Sequence, residues 1–147
     1  MKLFIYYSLT GNLDKVAQVL KEKDIEIRKV EMKKKMPKSF FFRVLTGGFL
    51  SGINAKSKLK DYDKDIISYD EIIIGSPIWN GRFSSPVNRL LKDLELDNKK
   101  LSFVFTSGSG EGKKALDKVN KLYPNSKVIF LKEPLKYENE LEKLQEL

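Results

Sequence analysis

The stretch Glu71-Ile72-Ile73-Ile74-Gly75-Ser76-Pro77-Ile78-Trp79-Asn80-Gly81-Arg82-Phe83 decides the fold. Its opening, Glu71–Gly75, holds three consecutive isoleucines, the strongest strand signal in the chain. β-Branched side chains suit a pleated surface, and a short apolar run bounded by turn residues predicts a buried strand. The rest, Gly75–Phe83, reads as a loop carrying an Asn-Gly turn and the chain's only tryptophan, with an isoleucine and a phenylalanine. A flat aromatic ligand needs an apolar or aromatic wall and a few backbone hydrogen bonds, and this loop offers both. The other reading of Trp79 is an indole folded back onto the core.

Outward from this stretch, apolar runs alternate with helical patterns. Lys2–Tyr7 reads as a first strand and Leu13–Lys23 as a helix with Leu13, Val16, Ala17 and Leu20 on one face. Ile25–Val30 alternates as a second strand. Ser85–Leu94 is helical with Pro86 in its first turn, where the missing N–H costs nothing. Leu101–Phe105 and Ser126–Leu131 are strands, Lys113–Leu122 is a helix, and Tyr137–Leu147 reads as a terminal helix. The segment Lys33–Asp65 carries Phe41, Leu45, Phe49 and Ile53 at four-residue steps, which predicts a crossover helix. The alternative there is a helix on a membrane surface, suggested by Phe40–Phe42 after Lys33, Lys34, Lys35 and Lys38.

Strands alternating with helices predict an α/β domain spanning 1–147: a three-layer sandwich with a five-stranded parallel sheet, order 2-1-3-4-5, and helices on both faces. In such sheets a ligand sits beyond the carboxyl ends of the strands, where strand order reverses. The loops after the first, third and fourth strands are therefore the candidate site.

Composition narrows the chemistry. The chain has 147 residues, no cysteine and no histidine. Disulfides, thiolate metal sites, cysteine nucleophiles and a Ser-His-Asp triad are excluded, and a zinc enzyme is disfavoured. Any reaction needs a borrowed cofactor. The formal charge of +8 comes from lysines scattered along the whole chain. It reads either as composition or as attraction to an anionic partner. No apolar run approaches the length of a membrane span, and no leader-like segment opens the chain, so the expectation is a soluble cytoplasmic protein.

The first loop, Ser8-Leu9-Thr10-Gly11-Asn12-Leu13, joins a strand to a helix start. Unpaired N–H groups there carry partial positive charge and suit a phosphate, with Ser8, Thr10 and Asn12 adding side-chain donors. The plainer reading is a turn capped by Thr10 or Asn12. The third loop, Thr106-Ser107-Gly108-Ser109-Gly110-Glu111-Gly112, is rich in glycine and hydroxyls, but is neither a P-loop nor a G-x-G-x-x-G.

Together, Ser8-x-Thr10-Gly11-Asn12, then Gly75-Ser76-Pro77-Ile78-Trp79-Asn80-Gly81 with Ser85-Pro86-Val87, then Thr106-Ser107-Gly108-Ser109-Gly110, resemble the three cofactor loops of the flavodoxin family. The resemblance runs over nearly the whole chain, least clearly through Lys33–Asp65. It implies FMN, with phosphate in the first loop and the ring between the second and third. The residues it implies for cofactor binding are Ser8, Leu9, Thr10, Gly11, Asn12 and Leu13; Ser76, Pro77, Ile78, Trp79, Asn80, Gly81 and Phe83; and Thr106, Ser107, Gly108, Ser109 and Gly110. Leu13 stands where the family usually has threonine, and Phe4 where a smaller aliphatic is usual. The function implied first is an electron carrier between redox partner proteins, acidic ones given this basic chain, with no specific nucleic acid. The alternatives are a small FMN-dependent NAD(P)H:acceptor (quinone-type) oxidoreductase and a flavin-free binding protein of the same fold.

Overall fold

The computed structural model describes residues 1–34, 39 and 58–147. Strands β1 (Lys2–Tyr6), β2 (Glu26–Lys29), β3 (Glu71–Trp79), β5 (Lys100–Ser107) and β6 (Lys127–Lys132) form a parallel sheet in the order β2-β1-β3-β5-β6. A two-residue strand, β4 (Arg82–Phe83), pairs antiparallel with β3. Without β4, this is the five-stranded order expected from sequence. Strand order reverses between β1 and β3, so the loops leaving these two strands diverge and open a crevice at the carboxyl edge.

Alternation along the strands assigns each face its helices. On one face Phe4, Tyr6, Ile73, Val104 and Ile129 pack against Leu13, Val16, Ala17 and Leu20 of α1 (Asn12–Lys21) and against Leu144. On the other, Leu3, Ile5, Ile72, Ile74, Phe103 and Phe105 meet Val87 and Leu90 of α2 (Ser85–Asp93), and Ala115 and Val119 of α3 (Lys113–Leu122). Each such Leu, Ile, Val or Phe side chain taken from water contributes about 1.5–3 kcal/mol.

Phe4 has a structural reason. Its ring stacks on Tyr6 with centroids 4.8 Å apart and lies over Gly75, where a Cβ would stand 2.6 Å from Phe4 Cζ and from Tyr6 Cβ. The large residue on β1 is matched by the absence of a side chain on β3.

One expectation changes. β3 continues through Ser76–Trp79 instead of ending at Gly75, because Ile78 and Trp79 pair with Phe83 and Arg82 across a hairpin. The terminal helix expected over Tyr137–Leu147 is a 3₁₀ helix over Glu138–Glu146. Leu141, Leu144 and Leu147 recur every third residue, and a helix of three residues per turn places all three against the sheet. The crossover helix expected within Lys33–Asp65 falls largely outside the described residues. Among the described residues no helix is long and apolar enough to cross a membrane.

Candidate functional site

β1 and β5 lead through loops into the starts of α1 and α3, and β3 leads through the β4 hairpin into α2. None of these helices has a side-chain cap on its N-cap residue, respectively Gly11, Ser84 and Gly112. Uncapped N-termini carry partial positive charge, so this edge of the sheet favours an anion.

The first loop is shaped by its own side chains. Gly11 takes φ 93°, which a side chain resists, and its N–H donates to Ser8 Oγ at 3.1 Å. Asn12 Nδ2 donates to Thr10 Oγ1 at 2.9 Å. Asn12 Oδ1 accepts from the N–H of Leu135 at 3.0 Å. Leu13 is 1% exposed and belongs to the α1 core face, so its side chain takes no part in the site and only its backbone remains available.

The second loop is a hairpin. Asn80 and Gly81 are the two turn residues, with φ 51° and 73°. Positive φ at both marks the two-residue turn whose twist matches the strands, and Asn-Gly is the pair that adopts it most readily. The Gly81 carbonyl accepts from Ala115 N–H at 2.8 Å, which ties the turn to α3. Ser76 Oγ sits within 3.0 Å of Ser84 Oγ and accepts from Ser84 N–H at 3.1 Å. Ser76 therefore knits the hairpin to the start of α2.

Two aromatic candidates lie deeper than the sequence suggests. Trp79 is 4% exposed and meets Tyr7 edge-on, ring centroids 5.9 Å apart. Its indole lies in the same core as Ile72 and Ile74, so the aromatic wall expected in this loop is buried. Phe83, on β4, stacks on Phe103 and lies tilted against Phe105. Burial pushes the Tyr7 hydroxyl up to about 12, keeping it protonated at neutral pH. Pro77 and Ile78 remain partly exposed, and Asn80 is exposed.

The third loop closes on itself. Ser107 Oγ accepts from Glu111 N–H at 2.9 Å and donates to the Glu111 carbonyl at 2.9 Å. Ser109 Oγ accepts a longer bond from the same N–H, 3.3 Å. Thr106 is buried at the end of β5, whereas Gly108 and Ser109 are exposed and Gly110 half-exposed. A Cβ on Gly112 would stand 2.9 Å from Ile78 Cδ1, so the second and third loops touch there.

A fourth loop, missed from sequence, completes the edge. After β6, Glu133 N–H donates to the Ser107 carbonyl at 3.2 Å, and Leu135 N–H reaches Asn12. Leu135 Cδ1 lies 3.4 Å from where a Gly11 Cβ would be. Glu133–Lys136 thus bridges the first and third loops. Its only sequence signal is Glu133-Pro134 directly after the last apolar run.

The arrangement fits a flat cofactor bearing a phosphate: an uncapped helix start with hydroxyls beside it, and two further loops at the same edge that touch at Ile78 and Gly112. No group of acidic side chains able to hold a metal occurs among the described residues. Fold and site define a flavodoxin-like α/β protein. A family model described as NADPH-dependent FMN reductase matches residues 10–136. The chain belongs to that family, and FMN is its cofactor. No curated protein matches the sequence significantly. Among solved structures, a candidate flavoprotein from Bacteroides eggerthii superposes with a TM-score of 0.73 at 18% identity, over 91% of each chain. A flavoprotein from Lactobacillus acidophilus NCFM in complex with FMN gives 0.61 at 22% identity, over 94% of this chain and 96% of that one. The apo form of the flavoprotein from that organism gives 0.64 at 24%, over 87% of each. At these identities the likeness concerns the fold.

Proposed function

We propose that this protein is a small FMN-dependent oxidoreductase that takes electrons from NADPH and delivers them to a small acceptor. The observation that carries the reading is the family match over residues 10–136, which spans all three loops apart from Ser8 and Leu9. It favours the reductase over the electron carrier that the sequence analysis puts first.

The roles follow from the site. Gly11, Asn12 and the start of α1 hold the phosphate through backbone N–H groups and the helix dipole, with Ser8 and Thr10 beside them. Pro77, Ile78 and the Asn80-Gly81 turn border the ring from one side, and Gly108 and Ser109 from the other. Asn12 and Leu135 lock the first loop to the fourth, which limits the rearrangement needed on binding. The chemistry supplied by FMN when bound is acceptance of an electron pair from the nucleotide and its release to an acceptor. The chain contributes binding, orientation and electrostatics. Its lack of histidine and cysteine agrees with a protein whose reactive atoms belong to the cofactor.

The test is anaerobic mixing of the FMN-loaded protein with NADPH. Rapid loss of the flavin's visible absorbance, and turnover once a quinone is added, is the expected result. A flavin that stays oxidised under NADPH, yet is reduced by a partner protein or dithionite, would return the reading to an electron carrier.

A further inference from the structure

One cleft at the carboxyl edge is not used by the roles above. It lies between the β3–β4 hairpin, α2 and α3, has a volume of about 420 Å³, and is lined by Arg82, Phe83, Asn88, Lys114, Asp117 and Lys118. Three of these side chains are cations and one is a carboxylate, which leaves the cleft two positive charges in excess. Among the described residues neither Arg82 nor Lys114 has an ion-pair partner. Lys118 is held in place: its Nζ donates to Asn88 Oδ1 at 2.8 Å and sits 4.8 Å from the Phe83 ring centroid. Burial, and then the nearby charge of Lys92, lowers the Lys118 pKa, so a bound anion would relieve an existing strain on its charged form.

Position matters as much as charge. The Lys114 side chain runs along the Asn80-Gly81 turn, its Cδ 3.8 Å from where a Gly81 Cβ would stand. The cleft therefore begins where the second cofactor loop ends. A guanidinium offers a two-pronged fork to a phosphate, and the lysines add point charges. A phosphate monoester carries about −1.5 to −2 charge near neutral pH, concentrated on three oxygens, which matches the excess in the cleft.

The geometry points to this cleft as the seat of the 2′-phosphate of the nicotinamide donor, with Arg82 and Lys114 as the residues that select NADPH over NADH. The inference rests on the donor being a nicotinamide nucleotide, as proposed above, but its test does not depend on turnover. NADP⁺ and NAD⁺ differ only in that phosphate and are already oxidised, so their binding to the FMN-loaded protein can be measured by calorimetry. The variants are Arg82→Gln and Lys114→Gln, both on exposed side chains, with Lys21→Gln on the opposite face as a control for net charge.

NADP⁺ is expected to bind at least about tenfold tighter than NAD⁺. Each cleft variant should lose about tenfold in NADP⁺ affinity while NAD⁺ and the Lys21→Gln control stay unchanged. Equal affinity for the two nucleotides, no binding of NADP⁺, or a preference that survives both cleft variants would overturn the assignment. Selective NADP⁺ binding with no oxidation of NADPH would sustain the assignment and sink the reductase reading instead.

Discussion

Replacing Gly75 with alanine tests how the crevice is held open. The new Cβ would lie 2.6 Å from Tyr6 Cβ, 2.6 Å from Phe4 Cζ and 2.8 Å from Phe4 Cε2. Non-bonded carbons are comfortable at about 3.5–4.0 Å, so the shortfall is about 1 Å. The Phe4 ring can yield only by leaving its stack on Tyr6. Tyr6 Cβ cannot yield without moving β1, because Tyr6 and Gly75 face each other in the ladder. Overpacking of this kind costs about 3 kcal/mol, the upper end for an added carbon. In a domain of this size that corresponds to a fall in Tm of about 6–12 °C. Urea unfolding of the FMN-free protein gives the free energy directly. The double variant Phe4→Leu/Gly75→Ala removes the ring but leaves Tyr6 Cβ, so it should recover less than half of the loss. Spreading β1 from β3 also shifts the first and second loops, which leave these two strands, so FMN affinity should fall with stability. A Gly75→Ala protein within about 0.5 kcal/mol of the parent, or full rescue by the double variant, would refute the account.

Other residues give independent checks. Gly81→Val forces a β-branched residue into φ 73° and should cost about 1–3 kcal/mol in urea unfolding while weakening FMN binding; an unchanged hairpin would show that the turn tolerates a side chain. Asn12→Ala removes the acceptor for Leu135 N–H, worth about 1 kcal/mol, so fluorescence titration should show FMN binding about fivefold weaker. Glu71 is a pH probe. Burial alone would raise its pKa, but hydrogen bonds from Lys100 and Ser102, with the Lys2 charge, outweigh it and hold the carboxyl below its ordinary value. A lowered folded-state pKa means stability that is present above the unfolded value of about 4.3 and lost as pH falls through the folded one. Glu71→Gln should therefore be less stable than the parent at neutral pH, with the gap closing in acid. A gap independent of pH would remove the carboxylate from the explanation.

The order of elements and the family were legible in the sequence because both rest on local patterns. Three isoleucines after Glu71, the apolar spacing of α1 and α3, and the turn-forming Asn80-Gly81 each act within a few residues. The three loops carry the hydroxyls, glycines and asparagines that phosphate and flavin binding need, and parallel topology alone sends them to one edge. Absence of cysteine and histidine excluded whole reaction classes without any coordinates.

Only the tertiary structure decided which way those residues face and which of them meet. Trp79 and Phe83 lie in the core, where β3 runs four residues further than its isoleucines announce and pairs with β4. Leu135 joins the site through a hydrogen bond to Asn12, 123 positions away in sequence. The cleft of Arg82, Lys114 and Lys118 exists only where a hairpin and two helices converge. Periodicity reports the face a residue presents to its own element. Contacts between elements depend on strand register and on where each chain reversal falls, and those are fixed only when the whole core packs.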